Sequence, residues 1–263
     1  MNRFISYVAV MSYVLAGAIA LTSPAYAQSA FSGFYGQVTT GYEDNQMGSA
    51  SVTGTSSLGS AYTLNGSFPS QNFGGAPLVL GAGYYWQANE SWLLGLGVDY
   101  SALSQTSSTF SKTNTGASIP AGDSNTSSGA SYKLSNRFNI FLSPAYVIDK
   151  EKLVYLKAGY SQVDATFNSP TSFTRTVRGV TTNGAANGDS YSKNQNGYLL
   201  GLGYKQIIQG GLYGVLEANY MSYSNLTFTN NNGALSADTR TNWNKPNPSL
   251  SSYQLLVGLG YAF

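Results

Sequence analysis

Eight stretches of this 263-residue chain alternate large apolar residues with small or polar ones. In the clearest, residues 92–100, the even positions hold Trp, Leu, Leu, Val and Tyr, while the odd ones include Gly95, Gly97 and Asp99. A period of two is that of a β-strand whose two faces meet different surroundings. The stretches cover residues 31–43, 77–87, 92–100, 132–148, 153–162, 195–206, 212–223 and 253–263. We therefore predict an all-β fold of eight antiparallel strands.

The large apolar face is predicted to point outward, toward lipid. Trp92 and Tyr100 lie eight residues apart on one face, as do Tyr253 and Tyr261. For a strand tilted as in membrane barrels, eight residues span roughly 20 Å along the membrane normal. Transmembrane barrels carry aromatic girdles at about this separation. The opposite face is rich in glycine, as expected where eight strands enclose a narrow interior. The prediction is an up-and-down transmembrane β-barrel, with a soluble lipocalin-like barrel as the alternative.

The connections between these stretches alternate in length. Those at 89–91, 150–152 and 209–211 are short, and those at 44–76, 102–129, 165–194 and 226–250 are long and polar. In outer-membrane barrels the short turns are periplasmic, so we expect four long extracellular loops and periplasmic chain ends. The turn at 209–211 pairs Ile208 with Leu212 and sets Glu217 opposite Gly203. Pro144 cannot donate to a sheet ladder, and we predict a β-bulge there.

The first residues have the pattern of a secretory signal peptide. Met1-Asn2-Arg3 provides a positive start, an apolar run follows, and Ala25 and Ala27 occupy the small positions of an A-x-A cleavage site. We predict cleavage after Ala27, which leaves residues 28–263 as one barrel domain. An uncleaved membrane anchor is the alternative.

Composition limits the chemistry that the chain can perform. It contains no Cys and no His, 9% charged residues and a formal net charge of +2. Thiol chemistry and histidine-based catalysis are thereby excluded, and no nucleic-acid-binding surface is indicated. No spacing indicates a Ser–Lys or carboxylate mechanism, although neither is excluded. We expect no enzyme, no metal and no cofactor.

Several of these features together resemble one known family. They are the signal peptide, the strand count, the Gly-Leu-Gly strands, the run from Leu212-Tyr213-Gly214 to Glu217 and Tyr220, and the ending Gly-Leu-Gly-Tyr-Ala-Phe. This pattern resembles the OmpA/OmpX-like small outer-membrane β-barrels, single-domain surface proteins of Gram-negative bacteria. The resemblance implies location in the cell outer membrane. It also implies that Tyr261 and Phe263 belong to the signal read by the barrel-assembly machinery.

Charged residues on the small, inward face are the candidate site. They are Asp99, Arg137, Lys157, Lys205 and Glu217. Buried charges are costly unless they are paired, so we predict a structural charge network that fills the lumen. Glu217 and Lys205 are diagonal neighbours in the predicted register and form the expected pair. A gate or an ion path is the alternative.

Two classes of function follow from this architecture. The first is a surface protein whose loops serve adhesion, recognition or envelope integrity, and the second is a small porin or transporter. The expected partners are outer-membrane lipids including lipopolysaccharide, the assembly machinery, and a host or environmental ligand at the loops. Arg175, Arg178, Arg240 and Lys245 form a basic loop set that suits anionic groups. Solvated loops with scattered charge are the simpler interpretation of the same residues.

Overall fold

The structure is a computed structural model that describes residues 29–56, 63–115, 124–186, 188–225, 241–243 and 248–263. The predicted signal peptide, with Ala25 and Ala27, lies outside these residues, as do Arg240 and Lys245. In the described part of the chain, no helix is long and apolar enough to cross a membrane.

Eight long antiparallel strands form a closed ring among the described residues. Their bounds are β1 Gly33–Met47, β5 Leu78–Gln87, β6 Trp92–Ser101, β9 Ser124–Asp149, β10 Lys152–Asn168, β13 Ser190–Gln209, β14 Leu212–Tyr223 and β16 Leu250–Ala262. Each strand pairs with the next in this order, and β16 pairs with β1 to close the ring. All eight predicted strands are present, and the up-and-down barrel is confirmed.

Shorter strands occupy the segments predicted as long loops. They are β2 Ala50–Ser56, β3 Thr63–Phe68, β4 Gln71–Gly75, β7 Gln105–Thr106, β8 Phe110–Thr115, β11 Ser172–Val177, β12 Val180–Ala185 and β15 Thr241–Trp243. Six of them (β2, β3, β8, β11, β12 and β15) join the upper part of β9 in a second sheet. Three barrel strands extend into the same region: β9 before Asn136, β10 after Gln162 and β13 before Asn196. We call the second sheet together with these three strand ends the cap. Threonine-rich segments suit such strands because β-branched side chains favour extended backbone.

The outer surface of the barrel is apolar between two belts of aromatic rings. The outward positions of β10 and β13 hold residues such as Leu156, Leu200 and Leu202, each more than half exposed. At the end with the short turns, which we call the short-turn end, the belt comprises Phe34, Tyr84, Trp86, Trp92, Tyr146, Tyr204, Tyr261 and Phe263. Toward the cap it comprises Tyr42, Tyr100, Phe138, Tyr160, Tyr198, Tyr220 and Tyr253. This is the lipid-facing surface of a transmembrane barrel.

The predicted bulge at Pro144 is wrong. Pairing with β6 continues through Pro144 opposite Leu94, and the register with β10 is the same on both sides of Pro144. Proline is accommodated there because two positions of the β9–β10 ladder, at Ser143 and Pro144, are skipped and the pairing then resumes without a shift. The β9–β10 register changes at two other places: at the turn, between Lys152 and Leu153, and nearer the start of β9, where Asn136 adopts a positive φ of 51°. Asparagine tolerates this conformation better than most residues.

Candidate functional site

The five charged residues chosen from the sequence all lie inside the lumen and are at most 3% exposed. Their strands explain this placement, because the odd positions of β6, β10, β13 and β14 face inward in the observed register. On β9 the inward positions change from even to odd numbers at the bulge near Asn136. Tyr132 and Leu134 face inward before it, and Arg137 faces inward after it.

Lys157 is the centre of one ionic network in the middle of the barrel. Its Nζ donates to a carboxylate oxygen of Asp99 and, at 2.8 Å, to Oε1 of Glu217. Glu217 also accepts hydrogen bonds from the Tyr155 hydroxyl at 2.7 Å and the Asn219 amide at 2.6 Å. Every charge in this network therefore has a partner, as burial requires.

The predicted ion pair between Glu217 and Lys205 is wrong, although the predicted register between β13 and β14 is correct as far as Ile207. The predicted pair of Ile208 with Leu212 is also wrong, because the register shifts at the turn and Gln209 lies opposite Leu212. Gly203 lies opposite Glu217, as the turn length indicated. Lys157 lies opposite Gly201 on β13, and Gly201 in turn lies opposite Asn219 on β14. Because glycine has no side chain, Lys157 crosses β13 and reaches Glu217 on the second strand away.

Arg137 is the centre of a second network nearer the cap. Its Nη1 binds Glu43 Oε2 at 2.5 Å, and its other nitrogens donate to Asn45, Ser252 and the hydroxyl of Tyr223 at 2.9–3.0 Å. Glu43 receives two further hydrogen bonds, from the amides of Asn45 and Gln254. Glu43 was not among the predicted site residues because it is the last residue of the predicted strand 31–43. Glu43 shares its odd position with Gln37 and Thr39, and this alternation indicates an inward-facing side chain.

Lys205 lies among tyrosine rings at the short-turn end of the lumen. Its Nζ is 3.8 Å from the ring centroid of Tyr35, 4.7 Å from that of Tyr213, and 5.2 Å from those of Tyr85 and Tyr155. We call these four rings the tyrosine cage. The ammonium also donates a 3.4 Å hydrogen bond to the Tyr213 hydroxyl. Of the ion pairs among the described residues, none includes Lys205.

Inward glycines make room for these rings. An added methyl group at each of four glycines would overlap a tyrosine ring or hydroxyl of the neighbouring strand. The directly opposed pairs are Tyr35 with Gly83, Tyr85 with Gly95, Tyr155 with Gly203, and Tyr213 with Gly260. Glycine opposite a large aromatic residue is a known way to fill a strand pair, and here it fills the lumen.

The lumen closes at the cap with an apolar layer. Phe68, Phe110, Tyr132 and Phe167 contact one another with ring centroids 5.2–6.5 Å apart, and we call them the cap aromatic cluster. Lys112 lies beside it, with Nζ 5.2 Å from the Phe68 ring centroid. Burial lowers the pKa of Lys112 to about 8.

The site is therefore a stack of four layers: the tyrosine cage, the Lys157 network, the Arg137 network and the cap aromatic cluster. The carboxylates are held by cations and amides, which leaves them poorly placed to act as bases. In the described part of the chain, no group of three or more Asp, Glu, His or Cys residues is arranged to hold a metal ion.

Comparison with known proteins agrees with this architecture. No curated protein sequence matches the chain significantly. Among solved structures, OprG from Pseudomonas aeruginosa has 12% identity and a TM-score of 0.50, with 88% of this chain and 96% of that one covered. Neisserial surface protein A has 18% identity and a TM-score of 0.38 over 88% and 98% of the two chains. Ail of Yersinia pestis has 12% identity and a TM-score of 0.37 over 88% and 99%.

The family described as outer membrane protein beta-barrel domain matches residues 13–263, which is nearly the whole chain. The closed ring, the apolar outer surface and the two aromatic belts are the features that such a family requires. The chain belongs to the outer-membrane β-barrel family.

Proposed function

We propose that this protein is a closed barrel that displays its cap at the bacterial surface as an interaction platform, and that it does not serve as a pore or an enzyme. The single observation that carries the proposal is the filled lumen. Ionic networks cross it at two levels, and aromatic layers close it at both ends. An eight-stranded barrel already has an interior that side chains just fill. A solute path would require several of these layers to move together.

The orientation supports a role at the surface. Short turns at residues 88–91, 150–151 and 210–211 suit the periplasmic side, where outer-membrane barrels carry their tight connections. The cap then faces the exterior and both chain ends face the periplasm. Tyr261 and Phe263 would meet the assembly machinery from that side.

The exposed chemistry of the cap suits polar and anionic ligands. The β11–β12 hairpin presents Thr174, Thr176 and Thr181 in hydrogen-bonded cross-strand sets, with Arg175 exposed beside them. Guanidinium groups bind phosphate and sulfate oxygens through paired hydrogen bonds. Lipopolysaccharide phosphates next to the barrel and polyanions of a host or an environmental surface are the partners with this chemistry.

Ion conductance in planar bilayers tests the closed lumen. The expected result for the purified protein is the absence of discrete conductance steps. A double variant, Glu43→Ser with Arg137→Ser, is the matched control because it removes one layer without leaving an unpaired charge. Steps in the unmodified protein equal to those of the control would overturn the proposal in favour of the small porin.

Cysteine labelling tests the orientation without background, because the chain has no cysteine. Val180 in the hairpin is 69% exposed, and Glu151 lies in a short turn at the other end. A membrane-impermeant maleimide added to intact cells should label Val180→Cys. Glu151→Cys should react only after the outer membrane is opened. The reverse order would contradict the proposed display of the cap.

A further inference from the structure

Lys205 is a buried lysine whose immediate surroundings are aromatic rather than acidic. It is 1% exposed, and four tyrosine rings approach its Nζ to between 3.8 and 5.2 Å. An ammonium ion over the face of a ring is attracted by the negative charge of the π system, and the attraction is stronger away from water. Proteins that recognise alkylammonium ligands use cages of this kind.

The cage is held by contacts that do not involve the lysine. The hydroxyls of Tyr85, Tyr155 and Tyr213 are hydrogen-bonded to Ser143 at 2.9 Å, Glu217 at 2.7 Å and Gln37 at 3.2 Å. Each ring also rests on the backbone of a glycine in the neighbouring strand. The rings of Tyr35 and Tyr85 stack on each other with centroids 5.3 Å apart. These supports fix the ring positions whether or not a cation is present.

We propose that the tyrosine cage is an alkylammonium-binding site, and that Lys205 occupies it as a covalently tethered ligand. Lys205→Ala removes three methylene groups and the ammonium, which together have the size and charge of n-propylammonium. The emptied cage therefore binds a small alkylammonium ion from solution. In the intact protein the tether excludes such ions from the short-turn end of the lumen.

The test measures unfolding by urea in lipid vesicles with n-propylammonium chloride present. The urea concentration at the unfolding midpoint of Lys205→Ala should rise with the n-propylammonium concentration. The dependence should be that expected for binding at one site of the folded protein. At ten times the dissociation constant, the folded-to-unfolded ratio should increase about elevenfold. The unmodified protein and Lys205→Met, whose cages are filled, should show no such rise. 1-Propanol, which matches the length but is neutral, should not substitute for the amine.

No rise for Lys205→Ala would overturn the proposal, as would equal rises in all three proteins or an equal effect of 1-propanol. If Lys205→Ala folds neither with nor without the amine, a double-mutant cycle decides the matter. Tyr35→Leu should lower the folded-to-unfolded ratio when Lys205 is present, and this decrease should be about tenfold greater than the decrease it causes in the Lys205→Met background. Tyr35→Phe, which keeps the ring, should show little of this coupling. Equal effects of Tyr35→Leu in both backgrounds would reject a cation site.

Discussion

The barrel and the cap share the continuous strands β9, β10 and β13 but arrange their side chains in opposite ways. On β10, the outward face holds Leu156 in the barrel and Thr166 in the cap, while the inward face holds Lys157 in the barrel and Phe167 in the cap. The strand keeps one alternation throughout, and only the chemistry of the two faces is exchanged. The surroundings explain the exchange, because the barrel is immersed in hydrocarbon and the cap in water.

The largest expected effect tests the ionic interior of the barrel. Lys157→Met leaves Asp99 and Glu217 buried without their cation, and should lower the free energy of unfolding by about 3–5 kcal/mol. The control is Lys152→Met on the same strand, since Lys152 pairs with Asp149 at 3.0 Å in an exposed turn. Reversible urea unfolding in lipid vesicles measures both. Equal stability of the two variants would show that the interior of the barrel does not depend on the charge of Lys157.

The second prediction places one charge on the outward face in each region. Leu156→Arg puts a guanidinium near the bilayer midplane and should cost about 2–4 kcal/mol. Thr166→Arg lies on the same face of the same strand but in water, and should change stability by less than about 0.5 kcal/mol. The same unfolding measurement applies. A similar cost at both positions would mean that lipid does not surround the lower part of β10.

A smaller effect is expected from the glycines under the rings. Gly203→Ala would push a methyl group into the ring of Tyr155, and should cost about 1–3 kcal/mol. At Gly36 an added Cβ meets no atom within 4 Å, so Gly36→Ala should be neutral or slightly stabilising. The difference in the free energy of unfolding between the two variants measures the cost of adding a methyl group to the filled lumen. A harmless Gly203→Ala would show that the tyrosine can move aside.

A pH-dependent effect concerns the apolar interior of the cap. Since burial holds the pKa of Lys112 at about 8 against an ordinary value of 10.5, the folded cap binds fewer protons than the unfolded chain between these values. Cap stability should therefore rise with pH across that window. Lys112→Met should abolish the rise. Hydrogen exchange of the Phe110 and Tyr132 amides, compared between the two proteins at each pH, is the measurement, and parallel behaviour of both would contradict the prediction.

The barrel could be predicted from the sequence more completely than the cap. The barrel strands, their inward faces and the register at Gly203 follow from alternation, because each rule acts between neighbouring residues or strands. The partner of Glu217 does not follow from it. Lys157 reaches Glu217 by crossing an intervening strand, and such a contact depends on barrel curvature and on the gap at Gly201.

The cap was harder to predict because its strands have weaker sequence contrast. Val163, Ala165 and Phe167 alternate with polar residues, yet the surrounding Ser, Thr and Asn residues suggested loops. The bulge was misplaced for a related reason. Proline is the stronger signal against a ladder, whereas the positive φ at Asn136 depends on where β9 leaves the membrane and enters the cap.

The seam between β1 and β16 has a consequence for how the molecule can form. Tyr35 pairs with Ala262 and Met47 with Leu250, so the two strands farthest apart in sequence must meet before the ring exists. Bringing distant segments together is slow because chain entropy is lost before contacts compensate for it. Until β16 docks, β1 and β14 each present an unpaired edge, which hydrocarbon does not tolerate. A barrel that lacks β16 is therefore unstable in hydrocarbon, and the β1–β16 seam is the contact that removes both unpaired edges.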